Sequence, residues 1–223
     1  MRQQELIFGD DEFFTHSAET SKEQIAESAY ILRGFALAEL KNILKDLGSI
    51  TAQAPFRQMK TPGGRTMSVA MTNCGEWGWL SDRQGYRYGK CDPLSDKPWP
   101  LMPKLFSALA NRAAAEAGFD GFQADACLIN RYRPGNKMSL HQDKNEQDFS
   151  QPIVSVSLGI PAVFLLGGYE RSDKSFKYPL FHGDVMVWGG VDRLRYHGVM
   201  PLKQEVHPLF GANRINLTFR KAR

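Results

Sequence analysis

The chain has 223 residues, 42% of them hydrophobic and 11% aromatic, enough for one domain with a sizeable core. A net charge of +4 permits a polyanionic partner without demanding one, and no apolar run approaches membrane-spanning length. Three cysteines without C-x-x-C spacing (Cys74, Cys91, Cys127) argue against a disulfide scaffold or zinc module, and the acidic N-terminus (Glu5, Asp10, Asp11, Glu12) is unlike a signal peptide; both features fit a reduced, cytoplasmic protein.

Residues 1–20 mix acids with scattered apolars and read as a disordered arm, leaving 21–223 as a single domain. Ala29 to Leu32 reads as a short strand. Leu37, Leu40, Leu44 and Leu47 then recur at helical spacing, predicting a helix from Phe35 to about Ile50 with Gly48 near its end. From about 55 to 100, glycines, prolines, aromatics and short β-like runs alternate, with Pro62-Gly63-Gly64 a turn before Thr66 to Met71; such a segment suits a lid or binding loop. An Ala-rich helix follows from about Met102 to Ala117, stopped by Gly118. The rest is strand-like: Ala126–Tyr132, Met138–Asp143, Ile153–Leu158, Ala162–Leu166, Lys177–Phe181, Asp184–Trp188, Arg195–Met200 and Arg214–Arg220. The expected architecture is mainly β with N-terminal helices (α+β). Its core over about 124–221 is a jelly-roll or double-stranded β-helix, preceded by the lid.

The chemistry concentrates in this second half. His141-Gln142-Asp143 on an extended segment puts both side chains on one side, because strand side chains repeat every two residues. With His197 from a distant strand they form the two-histidine, one-carboxylate face of a non-haem Fe(II) site, leaving positions for a chelating 2-oxo acid and O2. The bland alternatives are a surface carboxylate at Asp143 and a His197 paired with Asp192. His182-Gly183-Asp184 is a rival H-x-D, but its glycine fits a tight turn into the next strand; His16 and His207 fit solvent or loop roles.

Arg214, Asn216 and Arg220 share one face of the last strand, with Leu217 and Phe219 turned toward the sandwich core. Two buried arginines need an anion, which a dicarboxylate such as 2-oxoglutarate supplies; a basic, solvated edge strand is the alternative. Asn130 and Tyr132 share a face and are able to donate hydrogen bonds to that cosubstrate, or are ordinary sheet polar residues. In the lid, Trp77, Trp79, Tyr86 and Tyr88 alternate with Arg83 and Arg87, a pattern that suits a stacked, flipped base and its phosphates, or equally a set of rings covering the mouth of the sheet.

From about Tyr30 to Arg220 the sequence resembles the AlkB family of Fe(II)- and 2-oxoglutarate-dependent dioxygenases, which remove alkyl groups from nucleobases. The strings that carry the likeness are Pro55-Phe56-Arg57-Gln58-Met59, Met67 through Gly75, Ala126 through Tyr132, Leu140-His141-Gln142-Asp143-Lys144 and Asn216-Leu217-Thr218-Phe219-Arg220. The resemblance implies His141, Asp143 and His197 as iron ligands. It places Asn130, Tyr132, Arg214, Asn216 and Arg220 around 2-oxoglutarate. Trp79 would stack on the damaged base, with Tyr86, Arg87, Tyr88 and Arg171 near the substrate strand. Fe(II), 2-oxoglutarate and O2 are the implied cofactor and cosubstrates, succinate, CO2 and an aldehyde the products. The implied substrates are 1-methyladenine- and 3-methylcytosine-type lesions in single- or double-stranded DNA, with RNA a further candidate, and a monomeric enzyme is expected. One position departs: Asn145 stands where many members carry a carboxylate, which leaves the lesion spectrum open. The rival readings are a hydroxylase of a protein or small molecule with the same cofactors, and a non-catalytic metal-binding β-sandwich.

Overall fold

The computed structural model describes residues 20–223, so the arm read at 1–20 lies, but for Thr20, outside the described residues. Strands β1 (Ser21–Ala26) and β2 (Ala29–Arg33) pair antiparallel, followed by a 3-10 turn at Leu37–Glu39 and helix α1 (Leu40–Gln53). Next come β3 (Arg57–Lys60), β4 (Thr66–Gly75), the hairpin β5 (Gly78–Asp82) with β6 (Gly85–Gly89), and helix α2 (Lys104–Glu116). The second half holds β7 (Ala126–Tyr132), β8 (Met138–His141), β9 (Ile153–Gly159), β10 (Ala162–Leu166), β11 (Phe176–Leu180), β12 (Val185–Trp188), β13 (His197–Val199) and β14 (Arg214–Arg220).

Among the described residues, one eight-stranded sheet runs β1-β2-β12-β9-β14-β7-β4-β3 and a second, four-stranded, runs β11-β10-β13-β8. The jelly-roll expectation is borne out. Strands β3 and β4, from the segment read as lid, extend the large sheet, while β5–β6 forms a separate two-stranded ribbon.

Leu40, Ile43, Leu44, Leu47 and Ile50 give α1 one apolar stripe, and Phe106, Leu109, Ala110, Ala113 and Ala114 do the same for α2. Both stripes lie on the outer face of the large sheet. This corrects the placement of Leu217 and Phe219: they pack under the helices, with Phe219 edge-on to Phe106 at 6.0 Å, and not in the space between the sheets. The sheet is covered on both faces, so both sides of β14 are buried, its apolar residues under the helices and its polar ones between the sheets; each apolar side chain buried stabilises by about 1.5–3 kcal/mol. Between the sheets a second cluster gathers Leu128, Tyr132, Phe164, Leu166 and Trp188.

Gly48 does not end α1. It faces solvent in mid-helix, where an added Cβ would meet nothing within 4 Å, and the helix continues because Ile50 still covers the sheet. It stops at Ala54, whose extended backbone (φ −130, ψ 89) is what a following proline demands. Helix α2 ends as expected: Gly118, at φ +88, donates its N–H to the Ala115 carbonyl at 2.9 Å. All three cysteines are free, with Cys74 and Cys127 buried register partners on β4 and β7. No helix of the described chain is long and apolar enough to cross a membrane.

Candidate active site

The H-x-D segment lies at the end of β8, directly beside β13, where His197 is the register partner of His141. Strand β8 stops at His141, so Asp143 stands just past the strand yet still turns to the same side. His141 Nε2 lies 3.7 Å from Asp143 Oδ1, His197 Nε2 lies 3.7 Å from Asp143 Oδ2, and the three ligand atoms fall within 4.8 Å of one another. The Nδ1–H of His141 donates to the Ser139 carbonyl at 2.8 Å and that of His197 to the Arg195 carbonyl at 3.0 Å. A carbonyl only accepts, so each Nδ1 carries the proton and each Nε2 presents a lone pair to the same point. Burial, then the neighbouring His197, lowers the His141 imidazole to about 4, which keeps it neutral at physiological pH. Phe164 and Trp188 wall the His197 ring at 5.9 and 5.1 Å. Asp192, the rival partner of His197, instead accepts from Arg195 at 3.0 Å and from the Ser28 amide at 2.6 Å.

Arg214, Asn216, Thr218 and Arg220 all face between the sheets, and all are buried. Arg220 reaches Asp143: its Nε and Nη2 donate to Oδ2 at 3.0 and 2.6 Å. Burial alone would raise the Asp143 carboxyl, but the Arg220 guanidinium, helped by His197, holds it well below the usual carboxylate range. Arg214 is different. It is 2% exposed, lies over the Tyr132 ring at 5.1 Å, and donates from Nη2 to Ser157 Oγ at 3.0 Å, while its Nε and Nη1 have no partner. Burial lowers its pKa, since no carboxylate compensates the charge. Asn130, across from Asn216 in register, leaves its Oδ1 unpartnered as well. Orphaned donors on a buried cation, next to a two-imidazole, one-carboxylate set, fit a dicarboxylate that also chelates iron.

Sequence reasoning missed a buried network behind this face. Glu146 accepts from the Tyr88 hydroxyl at 2.5 Å and from Arg193 Nη2 at 3.1 Å, and lies 3.6 Å from Arg220 Nε. Arg193 also donates to the Asp143 carbonyl at 2.7 Å. The metal-ligand loop is thereby tied to the β5–β6 hairpin. No local pattern marks Glu146 or Arg193, because each looks like a surface charge until its partner arrives from elsewhere in the chain.

On the hairpin, Trp79 and Tyr86 stack at 5.6 Å with planes 16° apart. Asn145 stands beside them, its Oδ1 3.5 Å from Trp79 Nε1 and its Nδ2 3.5 Å from the Tyr86 carbonyl. Tyr86 is 47% exposed, so this platform is open to solvent, whereas Tyr88 is buried with its hydroxyl committed to Glu146. Arg87 is committed too, by a two-pronged pairing with Asp82 at 2.7 Å per arm. Arg171 flanks the site from the other side, donating to the Leu140 carbonyl at 2.6 Å with its guanidinium over the Tyr196 ring. Removing the stacking surface with Trp79→Ala is expected to weaken binding of an alkylated oligonucleotide by ~1–3 kcal/mol, read by fluorescence anisotropy. A variant that unfolds outright would instead mark Trp79 as core.

His182 lies away from the iron-type cluster. Its Nδ1 accepts from the Gly159 amide at 3.0 Å, and its ring packs against His207 and Phe210 at 4.4 and 5.5 Å. His207 is thus a packed loop residue and not a solvated one, while His16 lies outside the described residues. Burial, then His207, lowers the His182 imidazole to about 4. An unfolded histidine protonates near 6.5, so between about 6.5 and about 4 the unfolded chain binds the extra proton. The stability contributed by His182 is therefore complete above that window and lost as pH falls through it. His182→Gln, which keeps an acceptor for Gly159, is expected to lose less melting temperature than the parent between about pH 7 and about pH 5. Equal losses in the two proteins would show that His182 does not set this acid sensitivity.

The fold and this cluster define a non-haem iron, 2-oxoglutarate-dependent oxygenase. The 2OG-Fe(II) oxygenase superfamily model matches residues 28–220. The chain is 57% identical over 201 residues to the alpha-ketoglutarate-dependent dioxygenase AlkB of Salmonella typhimurium, covering 90% of this chain and 93% of that one. It is 57% identical over 205 residues to the same-named protein of Escherichia coli, covering 92% and 95%. The solved structure of OsALKBH1 superposes with a TM-score of 0.78 at 26% identity, covering 90% of this chain and all of that one. The chain belongs to the AlkB family of these dioxygenases, and Fe(II), 2-oxoglutarate and O2 are its cofactor and cosubstrates.

Proposed function

We propose that the chain reverses alkylation damage directly, removing N-alkyl groups from 1-methyladenine- and 3-methylcytosine-type bases in single- or double-stranded DNA, and in RNA as a second substrate, as a cytoplasmic monomer. The observation that carries this reading is the buried Arg214, with two unpartnered guanidinium nitrogens, on the same inner face as the His141–Asp143–His197 cluster.

In this reading His141 Nε2, Asp143 and His197 Nε2 hold the iron. Arg214 receives the far carboxylate of 2-oxoglutarate, and Asn130, Tyr132 and Asn216 line its path. When bound, iron and 2-oxoglutarate supply the oxidising power of O2: the 2-oxo acid loses CO2 to become succinate, one oxygen atom entering it and the other the N-alkyl carbon. The resulting hemiaminal breaks its C–N bond: the bonding pair returns to the base nitrogen, which loses its positive charge, and the hydroxyl proton leaves as the aldehyde is released. Arg220 keeps Asp143 ionised and aimed as a ligand, and also borders the 2-oxoglutarate space. Trp79 and Tyr86 supply the stacking face for a flipped base, Asn145 meets its polar edge, and Arg171 faces the strand. Tyr88 and Arg87 support the hairpin from behind through Glu146 and Asp82. An alkyl group on the pairing edge also weakens the base pair, which lowers the cost of flipping.

The test is succinate and formaldehyde release with Fe(II), 2-oxoglutarate and O2, with and without an oligonucleotide carrying one methylated base. Stoichiometric formaldehyde that depends on the lesion is expected. Succinate formation stimulated by a protein or small molecule and not by the oligonucleotide would overturn the substrate assignment. No succinate at all would leave only a metal-binding sandwich.

A further inference from the structure

We propose that Arg223 tunes substrate specificity: it seats the 143–147 loop against the aromatic hairpin and sets a positive charge behind Asn145 that lowers the preference of the pocket for cationic over uncharged alkylated bases. This rests on the nucleic-acid reading above. Beyond β14 the backbone is stitched on two sides. Asp125 accepts from the amides of Ala222 and Arg223 at 2.6 and 3.0 Å, while the Gln147 amide donates to the Ala222 carbonyl at 3.2 Å. The Arg223 side chain is thereby aimed. Its Nη1 donates to the Asn145 carbonyl at 3.1 Å and to the Ala222 carbonyl at 2.7 Å, and the guanidinium lies 5.4 Å from the Trp77 ring centre and 5.6 Å from that of Tyr88. A planar cation held against two rings and two carbonyls has far less freedom than a solvated arginine.

Two consequences follow for Asn145. Its side-chain contacts to Trp79 and Tyr86 are both at 3.5 Å, the outer limit of a hydrogen bond, so the amide depends for its position on the backbone that Arg223 and Ala222 hold. The charges around it also do not cancel. Asp143 and Glu146 are matched one for one by Arg220 and Arg193, and Asp125 is met by Lys221, whereas among the described residues no Asp or Glu side chain pairs with the Arg223 guanidinium. A neutral amide backed by a cation that lacks a carboxylate side-chain partner lessens the advantage of a positively charged base. 1-Methyladenine and 3-methylcytosine carry such a charge; 1-methylguanine and 3-methylthymine do not. A partly screened charge at this range is worth about threefold to tenfold in relative affinity.

The experiment uses four matched oligonucleotides, each with one of these lesions. Affinities are measured by anisotropy on the anaerobic protein loaded with Fe(II) and 2-oxoglutarate, and kcat/KM in air, for the parent, Arg223→Gln and Arg223→Lys. Amide hydrogen exchange over residues 143–147 is followed in parallel. Arg223→Gln keeps an N–H for the Asn145 carbonyl but loses the charge, and should raise the cationic-to-neutral ratio about threefold to tenfold. Arg223→Lys keeps the charge without the planar fork, so its ratio should stay within about twofold of the parent while exchange in the loop accelerates. An unmoved ratio in Arg223→Gln, or a shift in Arg223→Lys as large as in Arg223→Gln, would overturn the assignment. If the parent converts none of the four oligonucleotides, the nucleic-acid reading and this proposal fall together; conversion with an unmoved ratio removes the role of Arg223 alone.

Discussion

His141→Ala, Asp143→Ala and His197→Ala are each expected to abolish dealkylation. The three ligand atoms lie within 4.8 Å of one another, and each imidazole has its Nδ1–H spent on a backbone carbonyl, so every Nε2 lone pair is directed at one point. Alanine at any of them leaves two ligands, which lowers iron affinity and opens the face on which the 2-oxo acid and O2 must sit in fixed relation. Asp143→Ala has a second effect, because it leaves the Arg220 guanidinium buried beside Glu146 without its closest anion. The measurement is formaldehyde release at saturating Fe(II), alongside iron content after desalting. Retention of a tenth of parental turnover by any of the three would sink the ligand set. His182→Ala should leave turnover largely intact, since that ring packs with His207 and Phe210 and not with the cluster.

Arg214→Ala is expected to weaken 2-oxoglutarate binding by ~2–5 kcal/mol, the cost of removing one partner from a desolvated charge pair. The geometry makes the direction unambiguous. Nε and Nη1 have no acceptor, Nη2 is satisfied by Ser157 Oγ, and Tyr132 lies beneath the guanidinium. Without an anion the group is a burden on the fold, so Arg214→Met, which fills similar volume without the charge, should melt no lower than the parent when 2-oxoglutarate is absent. Adding 2-oxoglutarate should then raise the melting temperature of the parent and leave that of Arg214→Met nearly unchanged, because a ligand stabilises the native state by RT ln(1 + [L]/Kd), which vanishes when Kd far exceeds the ligand concentration. An unchanged dissociation constant in Arg214→Ala would place the carboxylate clamp elsewhere.

The sequence alone determined those features that repeat over short distances. Alternation along Ala126–Tyr132 and Arg214–Arg220 named both strands to the residue, and it put Arg214, Asn216 and Arg220 on one face, because the strand period of two is local geometry. The H-x-D spacing likewise brought His141 and Asp143 together. Tertiary structure alone decided which faces were buried against what. Leu217 and Phe219 met the helices, because a sheet covered on both sides buries apolar residues whichever way they point and the pattern cannot distinguish the two layers. It also decided the charge pairings. Arg220 sits on Asp143 from 77 residues away and Arg193 on Glu146 from 47. A charged side chain has no periodic signature of its own; its partner is whichever opposite group the strand order brings within reach, and that order is settled only when the two sheets close around the site.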